Sequence, residues 1–383
     1  MDRLCVIYFA FLSWMMSGTE SRLLPSAIDR IMGSLETKAI TQTRFCDKLN
    51  GLTQLQKEWC HKYTPFVPAI GMGANLALKE CRKAFQYERW NCTMDDSSFQ
   101  HVSSFQSKET AFVDAIVSAG VMMAISRTCS RGKLTKYCGC DKSVLDEETT
   151  EEEFEWGGCG DNFLKGQQYS QQFLDLAAKD LPAPSETTTE TVAGTPQSSV
   201  VEEYHKWNNR RGRLAVADNL ATVCKCHGLC GDCTVKICWK EVRSVQIGEV
   251  LKESYREAKQ VRLAHPLSPA LVPANVENNA IAASAPNPIL TTNALVYVKE
   301  SPDFCVANGT IGVAGTARRR CKENSKASDG CELLCCGNGY FETRAVKREQ
   351  CECKFVWCCE VKCQWCHKVY RYFHCKMPRP QVA

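Results

Sequence analysis

The sequence predicts an α+β fold in two parts. An N-terminal helical bundle carries a disulfide-stapled β-hairpin, and a small disulfide-rich C-terminal domain is built of β-hairpins. Three observations lead there. Apolar residues recur at helical spacing through most of the chain up to Val261. Twelve of the 26 cysteines fall in the 89 residues from Leu295 to Ala383, while Glu241 to Phe304 has none. So cysteine-dense a segment is stapled more than it is packed. The third observation is the stretch Cys224 to Trp239, which places five cysteines within 15 residues.

That stretch reads as a hairpin. Thr234, Val235 and Ile237 are β-branched and suit a strand. His227-Gly228 and Gly231-Asp232 supply turn chemistry, because Gly tolerates positive φ and Asp can bond its own backbone. Pairs then close across the hairpin, Cys224 with Cys238 outside and Cys226 with Cys233 inside. Both enclose Cys230, so Leu229, Cys230 and Gly231 are held out as a rigid tip.

In chain order, residues 1–21 read as a secretory signal. Arg3 precedes an apolar run from Leu4 to Met16, and Ser17-Gly18-Thr19 are small enough for cleavage. The run is too short to span a bilayer. Helices are expected over Phe66–Trp90, Ser107–Arg127, from an Asp161 N-cap to Leu181, over Leu214–Val223 and over Glu241–Val261. Ala111 to Ile125 is apolar but carries Asp114, which favours a buried helix over a membrane span. Asp146 to Glu155 holds seven acidic residues in ten and reads as a solvated loop. Pro182 to Val201 is rich in Ser, Thr and Pro, a composition that cannot bury a core. The expected division is residues 22–263 as the helical domain, 264–294 as a linker and 295–383 as the C-terminal domain. Turns are expected at Gly309–Gly315 and Gly337-Asn338-Gly339. Cysteines lie symmetrically about Cys358-Cys359, which suits a second hairpin over Cys351–Cys366 with Phe355, Val356 and Trp357 near its tip.

A secretory signal places the cysteines in an oxidising compartment. Cys5 leaves with the signal, so 25 of the 26 remain; setting Cys230 aside leaves 24, which can pair fully. The formal net charge is +4, and residues 295–383 carry 15 Lys+Arg against 9 Asp+Glu. No nucleic-acid role is expected. The runs Arg318-Arg319-Arg320 and Arg210-Arg211-x-Arg213 have two readings, solvated surface or a heparan sulfate site. Asn91-Cys92-Thr93 and Asn308-Gly309-Thr310 are N-glycosylation sequons, at Asn91 and Asn308.

The Cys224–Trp239 stretch resembles the signature of the Wnt family of secreted signalling ligands. The likeness extends from Cys46 to Cys375 through Glu80-Cys81, Arg89-Trp90-Asn91-Cys92-Thr93, Lys108-Glu109-Thr110-Ala111-Phe112, Ser118-Ala119-Gly120-Val121, Trp156-Gly157-Gly158-Cys159, Ser301-Pro302-Asp303-Phe304-Cys305 and Leu334-Cys335-Cys336-Gly337. Departures are few. Cys230 stands where the family has a serine esterified to a monounsaturated fatty acid, and Gly160 and Asn338 replace a usual serine and arginine.

The resemblance implies a ligand whose two hairpins grip the cysteine-rich domain of a Frizzled receptor, with an LRP-type coreceptor bound elsewhere. The Cys224–Trp239 hairpin would be a lipid-bearing thumb, with His227, Gly228, Leu229 and Gly231 around the acylation position Cys230. The Cys351–Cys366 hairpin would be an index finger, presenting Phe355, Val356, Trp357, Cys358 and Cys359. An acyltransferase and a lipid carrier would serve an acylated Cys230; no other cofactor is implied. The family's disulfide pattern adds Cys46–Cys60, Cys81–Cys92, Cys129–Cys138, Cys140–Cys159, Cys305–Cys336, Cys321–Cys331, Cys335–Cys375, Cys351–Cys366, Cys353–Cys363 and a vicinal Cys358–Cys359 bond. If Cys230 is not acylated, the alternative is a lipid-independent antagonist or weak agonist.

Two other readings compete. Cys230 could be an enzyme's nucleophile with His227 as base, but no third group is evident to orient the histidine. Cys224-x-Cys226-His227 and Cys363-x-x-Cys366-His367 have the residue types of a zinc site. Disulfides are the stronger reading in a secreted chain.

Overall fold

The structure is a computed structural model that describes residues 44–47, 49, 52–92, 106–143, 154–179, 197–228, 233, 235–242, 246–265, 268–274, 293–309 and 313–378. The expected signal, the Ser/Thr segment up to residue 196 and most of the acidic run lie outside them. The chain divides into two compact units. One comprises Met1–Ala84 and Met94–Ser301, the other Phe85–Thr93 and Pro302–Ala383.

The first unit is helical. α1 is Arg44–Asp47, α2 Gln54–Lys62, α3 Val67–Ala84, α4 Lys108–Ser130, α5 Phe163–Lys179, α6 Gln197–Ala217 and α7 Ile247–Arg256. Thr53 starts α2 through a capping box: its hydroxyl accepts from the Gln56 N–H, and Gln56 Oε1 accepts from the Thr53 N–H. Ser107 caps α4. α4 is apolar on nearly every face and is long and apolar enough to cross a membrane, yet it is almost wholly buried among other helices. Its polar residues are paired. Asp114 Oδ2 lies 2.7 Å from His205 Nδ1, and burial pushes the Asp114 carboxyl above its usual range.

Backbone contact at α4 requires glycine. A Cβ on Gly73 of α3 would stand 2.5 Å from Val121 Cα, and one on Gly212 of α6 would stand 1.9 Å from the Ala115 carbonyl oxygen. At the other end of α4, Trp59, Phe66, Tyr169 and Phe173 form an aromatic core, with the Phe66 and Tyr169 ring centres 4.2 Å apart.

Several sequence expectations need correction here. Asp161 does not cap α5: Asn162 accepts from the Lys165 N–H, while Asp161 accepts from Ser130 Oγ and from the Val242 N–H. Val201 belongs to α6 rather than to the Ser/Thr loop. The short helix expected over Leu214–Val223 is the end of α6 followed by a strand from Leu220. Glu241 to Val261 is likewise divided into the end of a strand, helix α7 and the start of another strand. Periodicity alone missed these breaks because neighbouring strands supply the apolar contacts instead.

The expected linker over 264–294 is partly folded. β4 (Lys259–His265) pairs with β5 (Ser268–Pro273), and β4 also pairs in parallel with β6 (Val296–Tyr297). Asn208 ties α6 to this sheet, donating to the Val296 carbonyl and accepting from its N–H. Leu295 is therefore core of the first unit, which continues to Ser301.

Residues 85–93, expected in the helical domain, cluster with the second unit. There Arg89 donates to the Leu333 carbonyl, and Trp90 lies against Phe85 and Phe304. Strand β7 (Arg320–Cys321), helix α8 (Cys331–Leu334) and a long ribbon of β8 (Tyr340–Val356) and β9 (Glu360–Cys375) make up the rest. Its core is largely sulfur. Cys321–Cys331 and Cys335–Cys375 are buried disulfides whose Cys321 and Cys335 sulfurs lie 3.7 Å apart. Cys305–Cys336 lies next in sequence.

The basic runs also change meaning. Arg211 and Arg213 are buried, bonded to Asn293 and Asp175. Arg319 donates to the carbonyls of Gln86 and Arg89. Arg210, Arg318 and Arg320 remain exposed, so each run is only partly turned inward.

Two outcomes are expected. Gly73→Val should lower the thermal midpoint of the purified protein, since overpacking commonly costs ~1–3 kcal/mol and this contact is with backbone. Gly139→Ala, whose Cβ would meet nothing within 4 Å, should leave the midpoint unchanged. Cys335→Ala should abolish accumulation of the protein in culture medium while its transcript persists, because losing a native disulfide typically costs ~2–5 kcal/mol. Normal accumulation would show that the sulfur core is dispensable.

Candidate functional site

Two stapled hairpins carry the residues singled out in the sequence, one in each unit. In the first, β2 (Leu220–His227) and β3 (Val235–Val242) are antiparallel, with Cys224 directly opposite Cys238. Disulfides join Cys224 to Cys238 and Cys226 to Cys233. An isolated two-stranded hairpin is marginal in water, so these bonds hold it closed. Leu229, Cys230, Gly231 and Asp232 lie outside the described residues. His227 and Gly228, which lead to them, are exposed.

The root of this hairpin is fixed to the helices. β1 (Glu155–Trp156) runs parallel to β3. Arg127 of α4 donates to the Val242 carbonyl at 2.6 Å, and Asp161 accepts from the Val242 N–H at 2.9 Å. Gly158, at φ 76°, lies beneath the Trp239 ring; a Cβ there would be 3.2 Å from it. Cys129–Cys138 and Cys140–Cys159 brace the segments on either side, and Cys46–Cys60 ties α1 to α2. Cys81 and Cys92 are both disulfide-bonded. Sequence reading missed the mixed face of this hairpin, where Lys236 lies over Phe154 and Lys240 over Trp156.

The second hairpin is much longer than Cys351–Cys366. Its pairing begins at Tyr340 opposite Cys375 and continues to Val356 opposite Glu360, with a register shift between Cys351 and Lys354. Cys351–Cys366 and Cys353–Cys363 clamp the strands near that shift. The tip is Trp357-Cys358-Cys359, with Cys358 and Cys359 at φ 74° and 82°. Trp357 is 91% exposed and Phe355 70%, while Val356 is also exposed. The expected vicinal disulfide is absent: Cys358 and Cys359 are free, their sulfurs 4.0 Å apart. A bond would need the sulfurs at about 2.05 Å.

The sulfurs of Cys224, Cys226, Cys363 and Cys366, which the zinc reading offered as ligands, are in disulfides. Asn308 is exposed and Asn91 half-buried, while Thr93 and Thr310 of their sequons lie outside the described residues.

Comparison with known proteins agrees with this architecture. A family model described as wnt family matches residues 48–376. Wnt-5a of Ambystoma mexicanum is 38% identical over 334 residues, covering 86% of this chain and 87% of that relative. Human Wnt-5a is 37% identical over 334 residues, covering 86% and 82%. Zebrafish (Danio rerio) Wnt-5b is 38% identical over 337 residues, covering 86% of each. Among solved structures, a chain from human WLS in complex with WNT8A aligns with a TM-score of 0.52 and 29% identity, covering 82% of this chain and 95% of that one. With a family match across most of its length and relatives well above 30% identity, this chain belongs to the Wnt family of signalling ligands.

Proposed function

We propose that the protein is a secreted Wnt ligand that binds the cysteine-rich domain of a Frizzled-type receptor through both hairpin tips, with an LRP-type coreceptor engaged elsewhere. The observation that carries this reading is the finger tip. An aromatic ring that is 91% exposed stands at the end of a doubly cross-linked ribbon. Such a ring is costly in water and suited to a partner's apolar pocket. A rigid support also lowers the ordering cost of binding.

The thumb is the second contact. Serine and cysteine are nearly isosteric, and an ionised thiol is the better nucleophile, so an acyltransferase built for a hydroxyl could act on Cys230. The reading is a fatty acyl thioester there, handed on by a lipid carrier; the similar chain WNT8A is solved in complex with WLS. Each buried CH₂ would add about 0.8 kcal/mol to receptor binding. The replacement of serine by Cys230 also supports a second reading, a lipid-independent ligand that relies on the finger alone.

Trp357→Ala should weaken binding to a soluble Frizzled cysteine-rich domain by ~2 kcal/mol or more, as for a hot-spot tryptophan. Equal binding by parent and variant, measured by surface plasmon resonance, would remove the finger from the interface. The Cys230 peptide of the secreted protein should carry the mass of a fatty acyl group and lose it in neutral hydroxylamine, which cleaves thioesters and spares oxygen esters. An unmodified peptide would establish the lipid-independent form.

A further inference from the structure

One charged pair in the helical unit has no part in either hairpin. Asp114 lies in the first half of α4, a helix that is almost wholly buried. Its Oδ2 is 2.7 Å from Nδ1 of His205 on α6, and the two side chains are 16% and 7% exposed. The opposite ring nitrogen, His205 Nε2, is buried and has no hydrogen-bond partner among the described residues.

The other titratable groups on the elements around α4 are engaged elsewhere. Tyr204 of α6 is fully buried and donates to the Ser107 carbonyl; burial and the Asp114 charge hold its hydroxyl far above the usual range. Lys206 is bonded to Glu202 and Glu203, and Arg213 to Asp175 of α5. Tyr255 of α7 donates to Glu109 on α4 itself, and Lys108 lies over the Tyr255 ring. Glu80 of α3 lies against Gly248 of α7. His205 is thus the group placed to compensate Asp114.

The pair has two charge states within reach of neutrality. With one proton, a neutral imidazole donates to a carboxylate, and a net negative charge is buried between two helices. A second proton makes the pair neutral overall, whichever partner carries it. That proton leaves one buried N–H or O–H to satisfy, a smaller cost than an uncompensated buried charge. Burial accordingly pushes the Asp114 carboxyl up, while His205 draws it back.

We propose that Asp114 and His205 form a proton-operated latch between α4 and α6, closed in weak acid and loosened as pH rises through and above neutrality. The sign follows from linkage. In the unfolded chain the two groups are solvated and apart, with ordinary values of about 3.9 and 6.5. Folding raises the pair's affinity for its second proton, so the folded state holds more protons than the unfolded. Stability from this source is complete below the unfolded value and is lost as the folded pair gives the proton up. An acidic compartment therefore tightens the helical unit, and neutral medium relaxes it.

The test is the thermal midpoint of the purified full-length protein from about pH 6 to about pH 8.5, the range around the ordinary histidine value. Asp114→Asn keeps the shape and the hydrogen bond to Nδ1 but cannot form the ion pair. His205→Gln leaves the carboxylate without a proton-accepting partner. The parent's advantage over each variant should be roughly 2 °C or more greater at the acid end than at the alkaline end. Groups elsewhere titrate equally in parent and variants and cancel in this difference. A purely structural contact would give a constant offset, and a constant offset in either variant would overturn the proposal. Should Asp114→Asn fail to accumulate, His205→Gln decides alone.

Discussion

Cross-strand disulfides are the constraint on which both hairpins depend. A two-stranded ribbon buries little apolar surface and offers two unpaired edges, so in water it frays. Here Cys224–Cys238 and Cys226–Cys233 close one ribbon, and Cys351–Cys366 and Cys353–Cys363 close the other. Covalent closure removes the need to bury the tips. Phe355 and Trp357 can therefore stay in solvent while their backbone remains ordered. Folding of the ribbon does not require burial of these rings.

The helical unit solves the complementary problem of holding a hairpin at a fixed root. α4 is its buried axis, and glycine contacts bring α3 and α6 against its backbone. A helix buried all round must satisfy each polar group it carries. Asp114 finds His205, and Ser118 accepts from Arg213, itself paired with Asp175. From the end of this helix Arg127 reaches the last carbonyl of β3, so core packing and hairpin position are linked through one side chain.

In the second unit sulfur takes the place of hydrocarbon. Cys321, Cys331, Cys335 and Cys375 supply much of its buried cluster, with Leu334 among them and Tyr340 and Phe373 packed alongside. The ribbon emerges from this cluster and is exposed on both faces. That explains its aromatic and cationic ladder: Arg320 lies over Tyr372, Lys347 and Lys368 lie over Tyr370, and the two tyrosines stack. Among the described residues no second sheet covers them, and the rings are shielded by cations instead.

The sequence by itself determined the fold class, the existence of both stapled hairpins and the family, because these are written in local signals: cysteine spacing, turn glycines and apolar periodicity. Cys224 and Cys238 could be matched on one hairpin since a ladder pairs residues symmetrically about its turn. Tertiary structure decided what depends on distant segments. Arg210-Arg211-x-Arg213 reads as a basic run, yet Arg211 and Arg213 face inward because Asn293 and Asp175 await them. Residues 85–93 look like the tail of a helix but cluster with the C-terminal unit, held there by Arg319 and Leu333. The ribbon's true length, and with it the exposed pair Val346 and Val369, came only from the structure, because Tyr340-Phe341-Glu342-Thr343-Arg344-Ala345-Val346-Lys347-Arg348 shows no period of two. That adjacent Cys358 and Cys359 are free, with sulfurs 4.0 Å apart, is likewise read only from the folded turn, because adjacency in sequence does not fix where two side chains point.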